Sequence, residues 1–111
     1  MSVEVIQPGD QVTKDPTDKA VWAFDWDSHI HADAELAATG TFTVTCVSAP
    51  REASPTLAVA NVSFITGNRK VQFRLTGGRA GTLYKVAHHI VTNETPANER
   101  ERSFFVQVSD L

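Results

Sequence analysis

The sequence predicts an all-β protein, a single immunoglobulin-like antiparallel β-sandwich of about seven strands. Residues branched at Cβ dominate: 13 valines, 4 isoleucines and 12 threonines stand against 5 leucines and 1 methionine in 111 residues. Such side chains suit a pleated strand and lose rotamer freedom in a helix. Short runs of alternating apolar and polar residues are also separated by turn residues every 8 to 12 positions or so, a spacing typical of sandwiches.

The first part of the chain differs from the rest. Residues 1–19 contain two prolines and a glycine beside the short candidate strand Val3–Ile6. We predict that this segment is an edge strand or an arm that docks on a neighbour, followed by the sandwich domain over 20–111.

The remaining strands are predicted from a period of two, which places every second side chain on one face. The residues sharing a face are Trp22, Phe24 and Trp26; Phe42, Val44 and Cys46; Ala60, Val62 and Phe64; Val71, Phe73 and Leu75; Tyr84, Val86, His88 and Ile90; and Phe104, Val106 and Val108. Thr66–Arg69 supplies hairpin turn chemistry. Ser28–Ala38 is the only plausible helical piece, with at most one turn. Tyr84 lies near the start of the penultimate strand, where sandwiches often anchor a corner.

Composition excludes several classes of function. The chain has 10 Lys and Arg against 13 Asp and Glu, a net charge of -3, which gives no electrostatic reason to expect a nucleic-acid or membrane-surface partner. No signal peptide is readable, and no apolar run approaches the roughly 18 residues of a membrane span. With Cys46 as the single cysteine, no intrachain disulfide can form. We therefore expect a protein that stays in the cytoplasm or in a particle assembled in the cytoplasm.

No residue pattern indicates catalysis, a metal or a cofactor. His29 and His31 could aim two nitrogens at one metal, but recognisable third and fourth ligands are missing, so a solvated turn is preferred. His88 is predicted to be buried and hydrogen-bonded. Cys46 alternates with core residues, which argues against a nucleophile. Gly77–Gly81 is predicted to be a tight turn, because it lacks the residues and context of a phosphate-binding loop. We expect no enzyme activity.

One aromatic side chain is a candidate partner contact. If Phe104 faces the core, Phe105 on the same strand faces outward. Phe105 then contacts another chain or packs against residues 1–12, and both interpretations stay open.

Several motifs together resemble a known family. In chain order they are Lys14-Asp15-Pro16, Phe24-Asp25-Trp26, Leu75-Thr76-Gly77-Gly78-Arg79-Ala80-Gly81-Thr82-Leu83-Tyr84-Lys85-Val86, and Glu101-Arg102-Ser103-Phe104 with Val106 and Val108. This order, over about residues 14–108, resembles the small fiber-tail adaptor proteins of tailed bacteriophages. After Trp26 the family tends to have an aromatic-rich turn, whereas this chain has His29 and His31.

The resemblance implies a non-enzymatic virion protein, assembled in the host bacterial cytoplasm, that links fibers to tail or collar proteins in a symmetric homo-oligomeric ring. The alternatives are a capsid decoration or cement protein and a carbohydrate-binding module with Trp22 or Trp26 exposed. The residues 1–19, the Asp27–Glu35 loop and Phe105 are the expected contact elements. The individual candidate contact residues are Val3, Val5, Ile6, His29, His31 and Phe105.

Overall fold

The computed structural model describes residues 4–48, 55–65 and 67–110. Within these ranges the protein has eight strands: β1 (Glu4–Ile6), β2 (Gln11–Lys14), β3 (Val21–Asp25), β4 (Thr41–Cys46), β5 (Ala58–Phe64), β6 (Lys70–Thr76), β7 (Leu83–Val91) and β8 (Glu99–Val108). The described ranges contain no helix, and hence none that could cross a membrane. The predicted all-β class is confirmed.

The strands form two four-stranded sheets, in the orders β1-β3-β6-β5 and β2-β8-β7-β4. Strand β1 pairs with β3 in parallel and β2 pairs with β8 in parallel, whereas the other pairs are antiparallel. This arrangement confirms the predicted immunoglobulin-like sandwich. Strand β2 was not among the predicted strands, because its four residues include only one hydrophobic side chain, the partly buried Val12.

One predicted strand face is wrong. The pairing of β5 with β6 shifts register between Ala60 and Ser63, and Asn61 adopts a positive φ of 53°. Such a bulge places an extra residue in the strand and changes which side chains face inward. Val59 and Phe64 therefore pack against the core, while Val62, which was predicted to share a face with Ala60 and Phe64, is 36% exposed.

The core between the sheets consists mainly of the predicted side chains. Phe24, Phe73 and Phe104 are fully buried. The ring centroid of Phe104 lies 5.2 Å from that of Phe24 and 5.6 Å from that of Phe73. Trp22 and Trp26 are also buried, at 8% and 0% exposed. The carbohydrate-binding alternative depended on an exposed indole at one of these two positions, and neither offers one.

Trp26 and His88 form a buried, hydrogen-bonded pair within this aromatic core. The indole Nε1–H of Trp26 donates to His88 Nδ1 (2.9 Å), so the imidazole proton sits on Nε2, which donates to the Thr39 carbonyl (2.7 Å). The ring stacks on Phe42 with a centroid separation of 4.0 Å. Gly40 leaves room for the imidazole, since a Cβ at residue 40 would lie only 2.8 Å from His88 Nε2. The prediction of a buried, hydrogen-bonded histidine is confirmed.

The predicted tyrosine corner is also present. Tyr84 is fully buried on β7, and its hydroxyl accepts a hydrogen bond from the backbone N–H of Arg79 (2.9 Å) in the β6–β7 turn. The phenol thereby fixes the turn to the start of the strand that follows it.

Replacing Tyr84 with phenylalanine should lower the free energy of unfolding by about 1 to 2 kcal/mol, because the Arg79 N–H loses its acceptor while the aromatic packing remains. Urea denaturation gives the change from the shift in midpoint. Lys85→Gln, at the exposed neighbouring position, is the control and should leave the midpoint in place. An unchanged midpoint for Tyr84→Phe would show that the corner bond does not stabilise the fold.

Candidate interaction surface

Three connecting segments meet at one end of the sandwich, which we call the loop end. It consists of the β3–β4 loop (26–40), the β5–β6 turn (67–69) and the β7–β8 loop (92–98). The first two are joined by backbone bonds, because Trp26 N–H donates to the Arg69 carbonyl (3.0 Å) and Leu36 N–H to the Asn68 carbonyl (2.9 Å). Loops carried on a rigid sandwich in this way are where such folds usually place their binding residues.

The side chain of Arg69 holds the β3–β4 loop from within. Its Nε donates to Asp27 Oδ1 (2.6 Å), and its Nη2 donates to the Asp27 carbonyl (2.8 Å). Its Nη1 donates to three more carbonyls, those of His31 (3.0 Å), Ala32 (3.4 Å) and Ala34. A planar guanidinium presents several donors in a fixed geometry, so one side chain fixes the path of the loop from Asp27 to Ala34.

The backbone of this loop forms only isolated turns. The sequence allowed at most one helical turn over Ser28–Ala38, and the structure has bonds from His29 N–H to the Trp26 carbonyl (2.8 Å) and from Ala34 N–H to the His31 carbonyl (2.9 Å). Each of these bonds spans three residues, whereas an α-helix joins each N–H to the carbonyl four residues earlier. Arg69 also donates to the carbonyls of His31 and Ala34, which adds tertiary bonds to these local turns.

The β7–β8 loop is fastened to the opposite side of the β3–β4 loop. Glu35 and Asn93 bond reciprocally, since Glu35 N–H donates to Asn93 Oδ1 (3.0 Å) and Asn93 N–H donates to the Glu35 carbonyl (2.9 Å). Ala37 N–H also donates to the Val91 carbonyl (2.9 Å). The 15-residue β3–β4 loop is thus tied on two sides. Loops this long in compact domains are usually functional when they are ordered.

The β7–β8 loop is closed by its own side chains. Thr92 Oγ1 and Asn98 Nδ2 both donate to Glu94 Oε1 (2.9 Å each), and Asn98 N–H donates to Thr92 Oγ1 (3.0 Å). The bonds from Asn98 and Thr92 lower the pKa of the Glu94 carboxyl below its ordinary value, and the nearby His31 and Arg100 act in the same direction. Glu94 is therefore an anion that holds its loop in one conformation.

The two histidines of the β3–β4 loop lie at the loop end. His29 is half-buried, whereas His31 is exposed and held by its carbonyl. Within the described residues, no group of three or more His, Cys, Asp or Glu side chains is arranged to hold a metal ion.

The other predicted contact residues lie elsewhere on the molecule. Val5 is 48% exposed on β1, at the edge of one sheet, while Phe105 is half-buried on β8 in the other sheet, beside Gln11 of β2. Ile6 is fully buried and packs in the core, so its side chain is not available on the surface of this fold. Val3 lies outside the described residues. The predicted contacts therefore form separate regions rather than one patch.

Arg69 and Asn93 are the residues of this surface that sequence reasoning missed. Arg69 was interpreted only as part of the Thr66–Arg69 hairpin turn, and Asn93 was not singled out. Arg69 binds atoms of residues that precede it by 35 to 42 positions, and Asn93 binds one 58 positions before it. No periodicity or spacing reveals contacts of this range. An arginine in a hairpin turn, where no local acidic partner is present, is the only available signal.

A comparison with known protein families identifies a match that covers most of the chain. A family model described as "Podophage GP4 fiber-tail adaptor protein gp77" matches residues 14–107. No curated protein matches the chain. The matched span begins at the last residue of β2 and includes the whole loop end, whereas β1 lies outside it.

Proposed function

Because the chain belongs to the podophage GP4 fiber-tail adaptor protein family, we propose that it joins fibers to the tail or collar of a virion, in several copies arranged as a symmetric ring. The family match over residues 14–107 is the observation that carries this proposal. The role is structural and non-enzymatic, and the protein is a virion component assembled in the bacterial cytoplasm.

The loop end supports a role in binding another protein. An adaptor needs a surface whose shape exists before the partner arrives, because ordering a loop on binding costs affinity. The β3–β4 loop is already ordered by Arg69 on one side and by Asn93 on the other. We propose that this loop, with His29 and His31, is a contact element for the fiber or the tail.

Two further regions complete the proposed contacts. Val5 and the rest of the segment 4–19 lie at the sheet edges, and Phe105 leaves part of its ring accessible beside β2. A ring repeats each contact once per copy, so contacts that are individually weak produce a stable assembly. Separate regions suit a protein that must contact neighbouring copies and a fiber at the same time.

Counting copies in purified particles tests the proposal. Quantitative mass spectrometry is carried out on whole virions and on heads separated from tails. A small fixed copy number that stays with the tails is the expected result. A copy number on the scale of the capsid subunits, found on heads, would instead identify a capsid decoration protein. Absence from virions would contradict both structural roles.

A further inference from the structure

Few contacts hold strand β1 to the sandwich. Only three residues pair, from Glu4 with Trp22 to Ile6 with Phe24, and the pairing is parallel. Glu4 and Val5 are exposed, so Ile6 is the single buried anchor of the strand. A short edge strand with one buried side chain is an element that can leave the sheet at low cost.

Strand β2, by contrast, is firmly fixed. Lys14, at the end of β2, is 1% exposed, and its Nζ donates to the carbonyls of Gly77 (2.6 Å) and Asp15 (2.7 Å). Burial lowers the pKa of this ammonium, against the attraction of Asp18 and Asp15. Ser109 N–H donates to the Lys14 carbonyl (2.9 Å). Any release of β1 therefore stops before β2.

The turn between the two strands is suited to a change of path. Residues 7–10 contain Pro8 and Gly9, and Gly9 has a φ of 89° with open space around the position of a Cβ. Two bonds close the turn, from Asp10 N–H to the Gln7 carbonyl (3.0 Å) and from Gln7 N–H to Asp10 Oδ2 (2.8 Å), and a third, from Gly9 N–H to the Ser103 carbonyl (2.7 Å), joins the turn to β8. Water can replace each of these bonds when β1 leaves.

The edge that β1 covers also contains an unsatisfied donor. Trp22, the register partner of Glu4, is 8% exposed, and its indole Nε1–H has no acceptor among the described residues. A buried donor without a partner is rare in native proteins. Strand β1 also lies outside the span that matches the family, which begins at Lys14.

We propose that β1 is exchanged between two copies of this chain, each copy placing its Ile6 in the core of the other. This inference rests on the proposed assembly in several copies. The edge already fits β1, so a second copy's β1 makes the same register and the same bond from Gln7 Nε2 to Asp25 Oδ2 (3.0 Å). The three bonds of the turn are lost, including the one from Gly9 N–H to the Ser103 carbonyl.

The length of the turn determines the symmetry of the exchange. Four residues span at most about 14 Å when extended. The β1 edges of the two copies must then face each other, which is the geometry of a twofold pair with reciprocal exchange. A ring built from such pairs has an even number of copies.

Cysteine pairs distinguish exchange from pairing within one chain. In a Cys46→Ser background, Val5→Cys and Ala23→Cys are register partners on β1 and β3. Particles carrying this variant are oxidised and examined on a denaturing, non-reducing gel. We expect a disulfide-linked dimer that dithiothreitol converts to monomer. Monomer alone would overturn the exchange, and a ladder of longer species would overturn its reciprocal form.

A second pair and a second variant complete the test. Ala87→Cys with Ser103→Cys joins register partners on β7 and β8 and should give monomer only. Ile6→Asp removes the anchor and should abolish the two-copy species in size-exclusion chromatography, so its persistence would also overturn the proposal. The copy count on tails does not depend on β1 exchange, so failure of this inference is distinguishable from failure of the adaptor role.

Discussion

Replacing Arg69 with alanine is expected to release the β3–β4 loop and to abolish most of the binding to the fiber or tail partner. The substitution removes five hydrogen bonds that reach from Asp27 to Ala34 and leaves their acceptors to water. The ion pair with Asp27 is partly exposed, so the cost in free energy of unfolding should be about 2 to 3 kcal/mol, less than five buried bonds would give. Hydrogen exchange should accelerate for amides in the loop and stay slow in β6 and β7.

Two variants separate the geometry of Arg69 from its charge. Arg69→Lys keeps the charge but offers a compact ammonium that cannot bind Asp27 and the carbonyls of His31 and Ala34 at the same time, so most of the loss should remain. Arg79→Ala removes the same charge from an exposed turn in another loop and should leave partner binding and loop exchange unchanged. If Arg69→Ala mobilises the loop while the partner still binds with wild-type affinity, the loop is not the contact element.

The strands and core could be predicted from sequence because burial in a strand depends on nearby positions. In β6 and β8, alternate side chains are buried as the period of two requires, and the same period placed His88 in the core. The bulge at Asn61 broke that period in β5, and nothing in the local sequence marked it. Strand β2 was missed because Val12 is the one hydrophobic side chain among its four residues, too few for a period of two to be recognised.

The candidate surface was predictable only in outline. The position of His29 and His31 after a strand identified a loop, but the order of that loop comes from Arg69 and Asn93, which are distant in sequence. The family resemblance concerned residues that the structure uses as scaffold: Lys14 is buried between carbonyls and Tyr84 anchors the corner. Such motifs identify a family through its fold, whereas the partner contacts that we propose involve side chains that the motifs do not include.

His88 should make the fold sensitive to acid. Burial lowers the pKa of His88 from 6.5 to about 4, and the nearby His89 acts in the same direction. The hydrogen bond to the Thr39 carbonyl raises this pKa but is outweighed by burial. Its register partner on β8 is Arg102, a further cation. Between pH 6.5 and about 4 the unfolded chain binds a proton here that the folded protein does not. The free energy of unfolding therefore falls as pH falls through this window, by about 3 kcal/mol from this group.

Comparing pH profiles of two variants isolates this contribution from that of the carboxylates. His88→Phe leaves the Trp26 N–H and the Thr39 carbonyl without partners, so we expect a loss of about 2 to 4 kcal/mol at pH 7. Because the variant has no group to protonate, the gap in urea midpoint between it and the wild type should narrow as pH falls from 6.5 to 4. His31→Gln, at an exposed position, should follow the wild-type profile throughout. Parallel pH profiles for the wild type and His88→Phe would contradict the prediction. They would mean that unfolding adds no proton to the His88 imidazole, and hence that burial and the bond from Trp26 do not keep this ring neutral in the folded protein.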